Sequence, residues 1–236
     1  MTTAAQGVVA LVGAGEYLPT MVSVDKILLE QLDGTPHVAV LSTAAVPDGP
    51  VVAERWLSMG VEYFSQIGVH VEAVKLFTRE DAENPGLAAQ LSTANFIYFS
   101  GGKPRYLLET LQNTAAWQVI KGIFTAGGVV AGCSAGAMVL GGALFDFPQV
   151  WRTLPALGLV PNIAVVPHFN ELPSLIADNV SRLAHTTTVV GIDAATALAW
   201  SHMQWTAQGS GGVTVFTEQH SQRYTAGEPV PLPPLH

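Results

Sequence analysis

The stretch that decides the fold is VVAGCSAGAM, residues 129–138. It begins as a continuous run of β-branched and small apolar residues, which is typical of a buried strand. It then passes through Gly132-Cys133-Ser134-Ala135-Gly136 and continues in small residues that suit a closely packed helix. The pattern G-x-S-x-G between a strand and a helix is a nucleophile elbow, a sharp turn that exposes a reactive side chain. We therefore predict a strand at 129–133, a helix at 135–140 and a nucleophile between them.

Two possible nucleophiles are adjacent in this turn, and the glycines distinguish them. Centring the pattern on Ser134 places Gly132 and Gly136 where a Cβ would collide with the adjoining strand or helix, whereas centring it on Cys133 places alanines there. Ser134 is the predicted nucleophile, and Cys133 is predicted to face the core as a small residue. The amide of Ala135, at a helix N-terminus, is a candidate oxyanion donor. The alternative is a packing turn in which the serine only caps the helix.

The rest of the chain alternates apolar runs with segments of helical spacing. This order indicates an α/β fold, a three-layer sandwich with a mostly parallel sheet. We predict a single domain over 1–226 and a Pro-rich C-terminal tail over 227–236 that is extended or loosely ordered. The buried parallel strands are predicted at 7–12, 37–41, 69–75, 95–99, 129–133, 189–192, 197–200 and 213–216, and helices at 51–67, 106–111 and 114–126.

Composition excludes several classes of function. Hydrophobic residues make up 49% of the 236 residues, charged residues only 12%, and the net charge is −8. An acidic chain without a Lys/Arg cluster argues against a nucleic acid partner. The N-terminus lacks a basic region and a long apolar run, so we expect a cytoplasmic protein with no membrane association. Dinucleotide, P-loop and metal-ligand spacings are missing, so no cofactor and no metal are expected.

A second glycine turn and one histidine complete the candidate site. Gly101-Gly102-Lys103 follows the predicted strand at 95–99, and its amides, those of Gly102 or Lys103, are candidates to complete an oxyanion hole. The alternative is an ordinary turn whose proline opens the next helix. A catalytic serine needs a base. His168 differs from the other six histidines because it ends an apolar run and begins a polar turn, so it is the predicted base.

Four motifs occur in order over roughly 7–200: Gly-Gly at 101–102, Gly-Cys-Ser-Ala-Gly-Ala at 132–137, Pro-His-Phe at 167–169 and Gly-Ile-Asp-x-x-Thr-Ala-Leu at 191–198. Together they resemble the peptidase E and cyanophycinase family of serine peptidases, whose domain is similar to class I glutamine amidotransferases. The resemblance implies that Ser134 is the nucleophile, His168 the general base, and that amides near Gly102 and Ala135 bind the oxyanion. It also implies a small peptide or amino-acid-derived substrate and a homodimer.

One residue departs from the family pattern. The family carries its third triad residue as a glutamate after Gly-Ile-Asp, and this chain has Ala194 there. A histidine without a carboxylate loses the group that fixes its tautomer and stabilises the imidazolium. Three outcomes are open. Asp193 turns towards His168 through a local bulge; another carboxylate replaces the glutamate; or the site is a dyad that is slow or only binds. The candidate replacements are Glu171, Asp178, Glu16 and Asp146.

The predicted substrate contacts also depart from the family. Lys103-Pro104-Arg105 follows the Gly-Gly pair, where relatives commonly carry Asn-Thr or Asp-Gln. Two cations near the pocket of an acidic protein indicate attraction of a substrate carboxylate, with a solvated surface residue as the alternative for Arg105. Asp146 resembles an acidic residue of dipeptidase E relatives and is a candidate pocket residue, with an ordinary turn before a proline as the alternative. Three functions follow: hydrolysis through an acyl-enzyme at Ser134, binding of a small acidic or peptide ligand without turnover, and thiol chemistry at Cys133, which the glycine positions disfavour.

Overall fold

The apolar runs form two β-sheets flanked by helices in the computed structural model, which describes residues 7–145, 153–173, 187–217 and 220–235. The strands are β1 Val8–Val12, β2 His37–Leu41, β3 His70–Ala73, β4 Phe96–Phe99, β5 Val129–Cys133, β6 Gly141–Phe145, β7 Thr153–Pro155, β8 Val160–Val166, β9 Thr188–Ile192, β10 Thr196–Ser201, β11 Gln204–Gly209, β12 Gly212–Phe216, β13 Ser221–Thr225 and β14 Pro229–Val230. The helices are α1 Val22–Leu29, α2 Pro50–Gln66, α3 Arg79–Glu83, α4 Pro85–Leu91, α5 Pro104–Leu111, α6 Ala115–Thr125 and α7 Ala135–Leu140, with 3-10 turns at Pro19–Met21, Thr43–Asp48 and Phe169–Glu171.

The first sheet has the strand order β14-β11-β10-β1-β5-β4-β2-β3. Its five strands from β1 to β3 in that order are parallel, and β10, β11 and β14 extend it antiparallel. The second sheet has the order β13-β12-β9-β8-β6-β7, with β8 parallel to both β6 and β9. The α/β sandwich is therefore confirmed, with its strands divided between two sheets.

Two strands that were predicted to be parallel are antiparallel. The runs at 197–200 and 213–216 lie in β10 and β12, and each pairs antiparallel with both of its neighbours. The prediction was wrong because a continuous apolar run reports burial on both faces, which is usual for parallel strands. Here β10 and β12 are antiparallel but buried along almost their whole length, so their sequence pattern is the same.

Alternating residues of β1 divide the core into two clusters. Val8, Ala10 and Val12 pack with α1 and α2 on one face of the first sheet. Val9 and Leu11 pack on the other face with the remaining helices and the inner side of the second sheet. Because successive side chains of a strand point to opposite faces, the first sheet is the middle layer.

The Pro-rich tail is extended and packed against the fold, not loosely ordered. β14 pairs with β11, and the indole Nε1 of Trp205 donates to the carbonyl of Pro233 over 2.9 Å. Leu235 is only 4% exposed.

The carboxyl ends of the parallel strands lie side by side and define one edge of the first sheet. Phe99 at the end of β4 is in register with Gly132 of β5 and with Leu41 of β2. The turns after β4 and β5 therefore meet at the edge where ligands bind in open α/β sheets. Among the helices of the described ranges, none combines the length and the apolar character needed to cross a membrane.

Candidate active site

Ser134 occupies a strained turn between β5 and α7. Its φ is 50° and its ψ −108°, a conformation that non-glycine residues rarely adopt. Its amide donates to the carbonyl of Val12 over 2.9 Å, which holds the turn against β1. A Cβ on Gly132 would lie 2.5 Å from the carbonyl carbon of Gly136, and one on Gly136 would lie 2.8 Å from Cβ of Phe99. Both flanking positions therefore require glycine, as expected for an elbow centred on the serine.

His168 lies between a hydroxyl and a carboxylate. Its Nε2 is 3.2 Å from Oγ of Ser134, and its Nδ1 is 2.7 Å from Oε2 of Glu171. The side chains of His168 and Glu171 are 43% and 56% exposed. His168 itself is in the left-handed region at φ 52°, so its backbone reverses directly before the 3-10 turn Phe169–Glu171. This reversal brings the carboxylate back to the imidazole three residues later.

The histidine turn is attached to the segment that carries the altered family position. The amide of Ala194 donates to Oδ1 of Asn170 over 2.8 Å. The ring of Phe169 packs so closely on Gly191 that a Cβ there would lie 2.6 Å from it. Asn170 was not among the predicted site residues, although it lies in the polar turn that begins at His168. These contacts fix the position of His168 relative to β9.

The glycine turn after β4 is held on both sides of Gly102. The amide of Gly101 donates to Oε1 of Glu16 over 2.8 Å, and the amide of Lys103 donates to the carbonyl of Ala44 over 2.7 Å. Lys103 was predicted as a candidate oxyanion donor, and this hydrogen bond contradicts that part of the prediction. Gly102 has φ 141°, and a Cβ on it would lie 2.2 Å from the Ala44 oxygen. Its amide has no acceptor within the described part of the chain.

Cys133 is fully buried and points away from solvent. Its Sγ donates to Oε2 of Glu16 over 2.9 Å. Burial, followed by the charge of Glu16, raises the pKa of the Cys133 thiol well above its ordinary value. A protonated thiol is a poor nucleophile, so the geometry gives thiol chemistry no support. The same Glu16 carboxylate ties the elbow strand to the glycine turn, a role that sequence analysis did not assign to it.

The candidate acids are not all brought to His168. Asp193 is 2% exposed, and its Oδ2 accepts from Arg223 and from the amide of Gly212. It follows the strand alternation and faces β12 and β13. Glu16 is engaged by the glycine turn, as described above. Asp146 and Asp178 lie outside the described residues. Of the three candidate acids that the structure describes, Glu171 alone contacts the imidazole.

The two predicted substrate-binding cations have carboxylate partners. Nζ of Lys103 is 3.2 Å from Asp48, and Nε of Arg105 is 2.9 Å from Glu109. All four side chains are largely exposed, and such ion pairs contribute little to stability. A substrate carboxylate would compete with Asp48 and Glu109 for these cations.

A serine on an elbow after a parallel strand, with a histidine at its hydroxyl, is the arrangement of an α/β protein of the serine hydrolase class. The chain belongs to peptidase family S51, a family of serine-type peptidases, whose sequence model matches residues 9–207.

Comparison with known proteins agrees with this assignment. The crystal structure of a peptidase from an acI-B1 Actinobacterium superposes with a TM-score of 0.87 and 34% identity, covering 95% of this chain and 96% of that one. A putative peptidase E protein from Listeria monocytogenes, at 19% identity and TM-score 0.65 over 88% of this chain and 100% of that one, shows the same fold.

Curated relatives match over shorter stretches. The uncharacterized peptidase PM1590 of Pasteurella multocida is 32% identical over 118 residues, which are 47% of this chain and 55% of that protein. The uncharacterized peptidase Lmo0363 of Listeria monocytogenes is 26% identical over 54% of this chain and 65% of that protein. The chain thus spans less than two thirds of the length of each of these relatives.

Proposed function

We propose that this protein hydrolyses a small peptide or isopeptide through an acyl-enzyme on Ser134, with Glu171 taking the place of the family glutamate. The observation that carries the proposal is the position of His168, 3.2 Å from the serine hydroxyl and 2.7 Å from the Glu171 carboxylate. A nucleophile, a base and an orienting acid in this order are the arrangement of a serine triad.

The proposed reaction begins when Oγ of Ser134 attacks the scissile carbonyl and passes its proton to Nε2 of His168. The imidazolium then gives this proton to the leaving amine as the carbon–nitrogen bond breaks. A water molecule attacks the resulting ester, His168 takes its proton, and Ser134 recovers that proton when the carboxylic acid leaves. Throughout, the Glu171 carboxylate accepts a hydrogen bond from the Nδ1–H of the imidazole, which keeps Nε2 facing the serine.

Two amides are suited to stabilise the oxyanion in this proposal. Ala135 is the first residue of α7, where an amide has no partner within the helix. The amide of Gly102 is held between the anchored amides of Gly101 and Lys103, and a Cβ on Gly101 would lie 3.7 Å from Oγ of Ser134. Fixed donors beside the nucleophile need no reorganisation when charge develops.

The change from glutamate to Ala194 supports a relocation of the acid. The backbone of Ala194 is hydrogen bonded to Asn170, the residue next to Glu171, so the family position and the histidine turn are in contact. A carboxylate on the histidine's own turn reaches Nδ1 without any contribution from position 194. The binding-only alternative rests on Ala194 alone, whereas the contacts of His168 with Ser134 and Glu171 support the catalytic proposal.

The proposal is tested by incubating the purified protein with a set of dipeptides and isopeptides and measuring the products by liquid chromatography and mass spectrometry. Ser134→Ala is the negative variant and Cys133→Ala the control. We expect hydrolysis by the wild type and Cys133→Ala, and none by Ser134→Ala. Equal product from Ser134→Ala and the wild type would refute the serine mechanism. Saturable binding of a peptide that wild type never cleaves would favour the alternative.

A further inference from the structure

Three side chains with metal-binding atoms meet at the start of β2 and β3. His37 and His70 are paired in register across the two parallel strands, and Glu72 is two residues further along β3. Oε1 of Glu72 is 3.5 Å from Nε2 of His37 and 3.6 Å from Nε2 of His70. All three ligand atoms lie within 4.8 Å of one another. The two histidines are 33 positions apart in sequence, so spacing alone did not group them.

The cluster is oriented by its neighbours. Nδ1 of His37 is 2.9 Å from the carbonyl of Thr93, so Nδ1 carries the proton and Nε2 holds a free lone pair. That Nε2 is buried and has no hydrogen-bond partner. The other oxygen of Glu72 accepts from Nε2 of Gln90 over 3.2 Å. A histidine that donates its second nitrogen to a carbonyl, beside a hydrogen-bonded carboxylate, is the usual support of a metal ligand set.

The distances suit a shared ion better than direct hydrogen bonds. A hydrogen bond between imidazole and carboxylate is about 2.7–3.0 Å long, so 3.5 and 3.6 Å are long for one. Zinc–nitrogen and zinc–oxygen bonds of about 2.0–2.2 Å in a tetrahedron put two ligand atoms about 3.4 Å apart. Glu72 stands at this separation from both histidines.

We infer that His37, His70 and Glu72 bind one Zn²⁺ ion that links the edge strand β3 to β2. Two imidazoles and one carboxylate are a zinc ligand set that leaves a fourth position for water. The His70 side chain is 63% exposed, so the ion can enter from solvent, while His37 is 18% exposed and fixes the inner side of the site.

This site is separate from the elbow and does not depend on the proposed peptidase activity. His37 begins β2, whereas Leu41 ends it in register with Phe99, close to the glycine turn. Five residues of strand separate the two edges of the sheet by about 13 Å. We therefore expect an ion that stabilises the fold and leaves the serine unaffected.

The inference is tested by isothermal titration of ZnCl₂ into tag-free protein that has been stripped with a chelator and dialysed. His70→Ala removes an exposed ligand and so should not impair folding, which circular dichroism checks. We expect one ion per wild-type chain, an affinity at least tenfold lower for His70→Ala, and a Zn²⁺-dependent rise in melting temperature that the variant lacks. Co²⁺ should give the intense visible absorption of a tetrahedral site only where His70 is present.

Two control variants locate the ion. His202→Ala removes an exposed histidine from the turn between β10 and β11 and should bind Zn²⁺ like the wild type. His168→Ala removes the histidine that contacts Glu171, a carboxylate outside the proposed zinc site. This variant should also keep one bound ion. The inference is overturned if wild type shows no saturable binding, if His70→Ala binds equally well, or if His168→Ala abolishes binding.

Discussion

Glu171 follows His168 by three residues, and its Oε2 is 2.7 Å from the imidazole Nδ1 on the side opposite Ser134. The two side chains share one turn, so their relative position depends on local backbone conformation and not on the pairing of distant strands. The left-handed φ of His168 and the hydrogen bond between the Glu171 amide and the His168 carbonyl, 2.9 Å long, define that turn. Under the proposed mechanism, the orienting acid therefore lies on the same turn as the base.

Replacing Glu171 by glutamine is expected to lower kcat by roughly 10²–10³-fold. A buried triad carboxylate contributes about 10⁴, and the effect is smaller here because Glu171 is 56% exposed and solvent screens its charge. Steady-state hydrolysis of any peptide accepted by the wild type measures it. Glu62→Gln, an exposed site on α2, is the matched control and should leave kcat unchanged. An unchanged kcat in Glu171→Gln would remove Glu171 from the proposed mechanism.

Restoring the family glutamate should compensate for the loss of Glu171. The amide of Ala194 is hydrogen bonded to Asn170, in the turn that carries His168. We therefore expect a glutamate at position 194 to reach the imidazole. We expect the double variant Glu171→Ala, Ala194→Glu to be at least tenfold faster than Glu171→Ala alone. The double variant Glu171→Ala, Ala194→Gln has the same size without charge and should show no recovery. Equal rates for the two double variants would contradict the relocation of the acid.

Gly102→Ala should reduce turnover because it disturbs the proposed oxyanion donor. The new Cβ would lie 2.2 Å from the Ala44 oxygen, at a φ of 141° that alanine resists. Loss of one oxyanion donor costs about 10²–10³ in kcat. Gly122→Ala on α6 meets nothing within 4 Å and serves as the control. Wild-type kcat in correctly folded Gly102→Ala would exclude this amide from the oxyanion hole.

Asp25 makes the free energy of unfolding depend on pH. Burial raises the pKa of Asp25 to about 7, against the smaller opposing effect of the Tyr63 hydrogen bond. A raised pKa means that the folded state keeps a proton that the unfolded state releases near pH 4. The free energy of unfolding therefore falls as pH rises from about 4 to 7, by up to about 4 kcal/mol from this group.

Denaturant unfolding at pH 4 and pH 7.5 gives the free energy of unfolding of wild type and of Asp25→Asn, and the difference between the two proteins at each pH measures the contribution of Asp25. The variant lacks the titrating group, so its stability should rise relative to wild type over the interval. Tyr63→Phe removes the hydrogen bond that lowers the pKa of Asp25 and should extend the fall to higher pH. A difference between wild type and Asp25→Asn that does not vary with pH would show that Asp25 does not titrate in this range.

The elbow was predictable because its constraints are local. β5 and α7 have the predicted bounds, since a β-branched run followed by small residues and two required glycines admits few other structures. The second sheet was harder to predict. β6 begins with two glycines, and β8 contains Pro161 and Asn162, which obscure the apolar pattern. The short exposed strand β13 has little apolar signal, with only Tyr224 buried.

The candidate site was predictable residue by residue but not as an arrangement. Ser134 and His168 stand out in sequence because each follows an apolar run, and the structure places them 3.2 Å apart. Glu171 was one of several acids that sequence could not rank. The contact depends on the left-handed backbone of His168, which histidine residues adopt only occasionally. The anchoring roles of Glu16 and Asn170 likewise depend on contacts between segments far apart in the chain.

The most direct measurement of the central claim is intact-mass spectrometry after exposure to a fluorophosphonate probe, on wild type, Ser134→Ala and Glu171→Gln in parallel. An activated serine predicts a single adduct on wild type, none on Ser134→Ala, and much slower labelling of Glu171→Gln. Folded wild-type protein that acquires no adduct, or an adduct that persists in Ser134→Ala, would contradict an activated serine at this elbow.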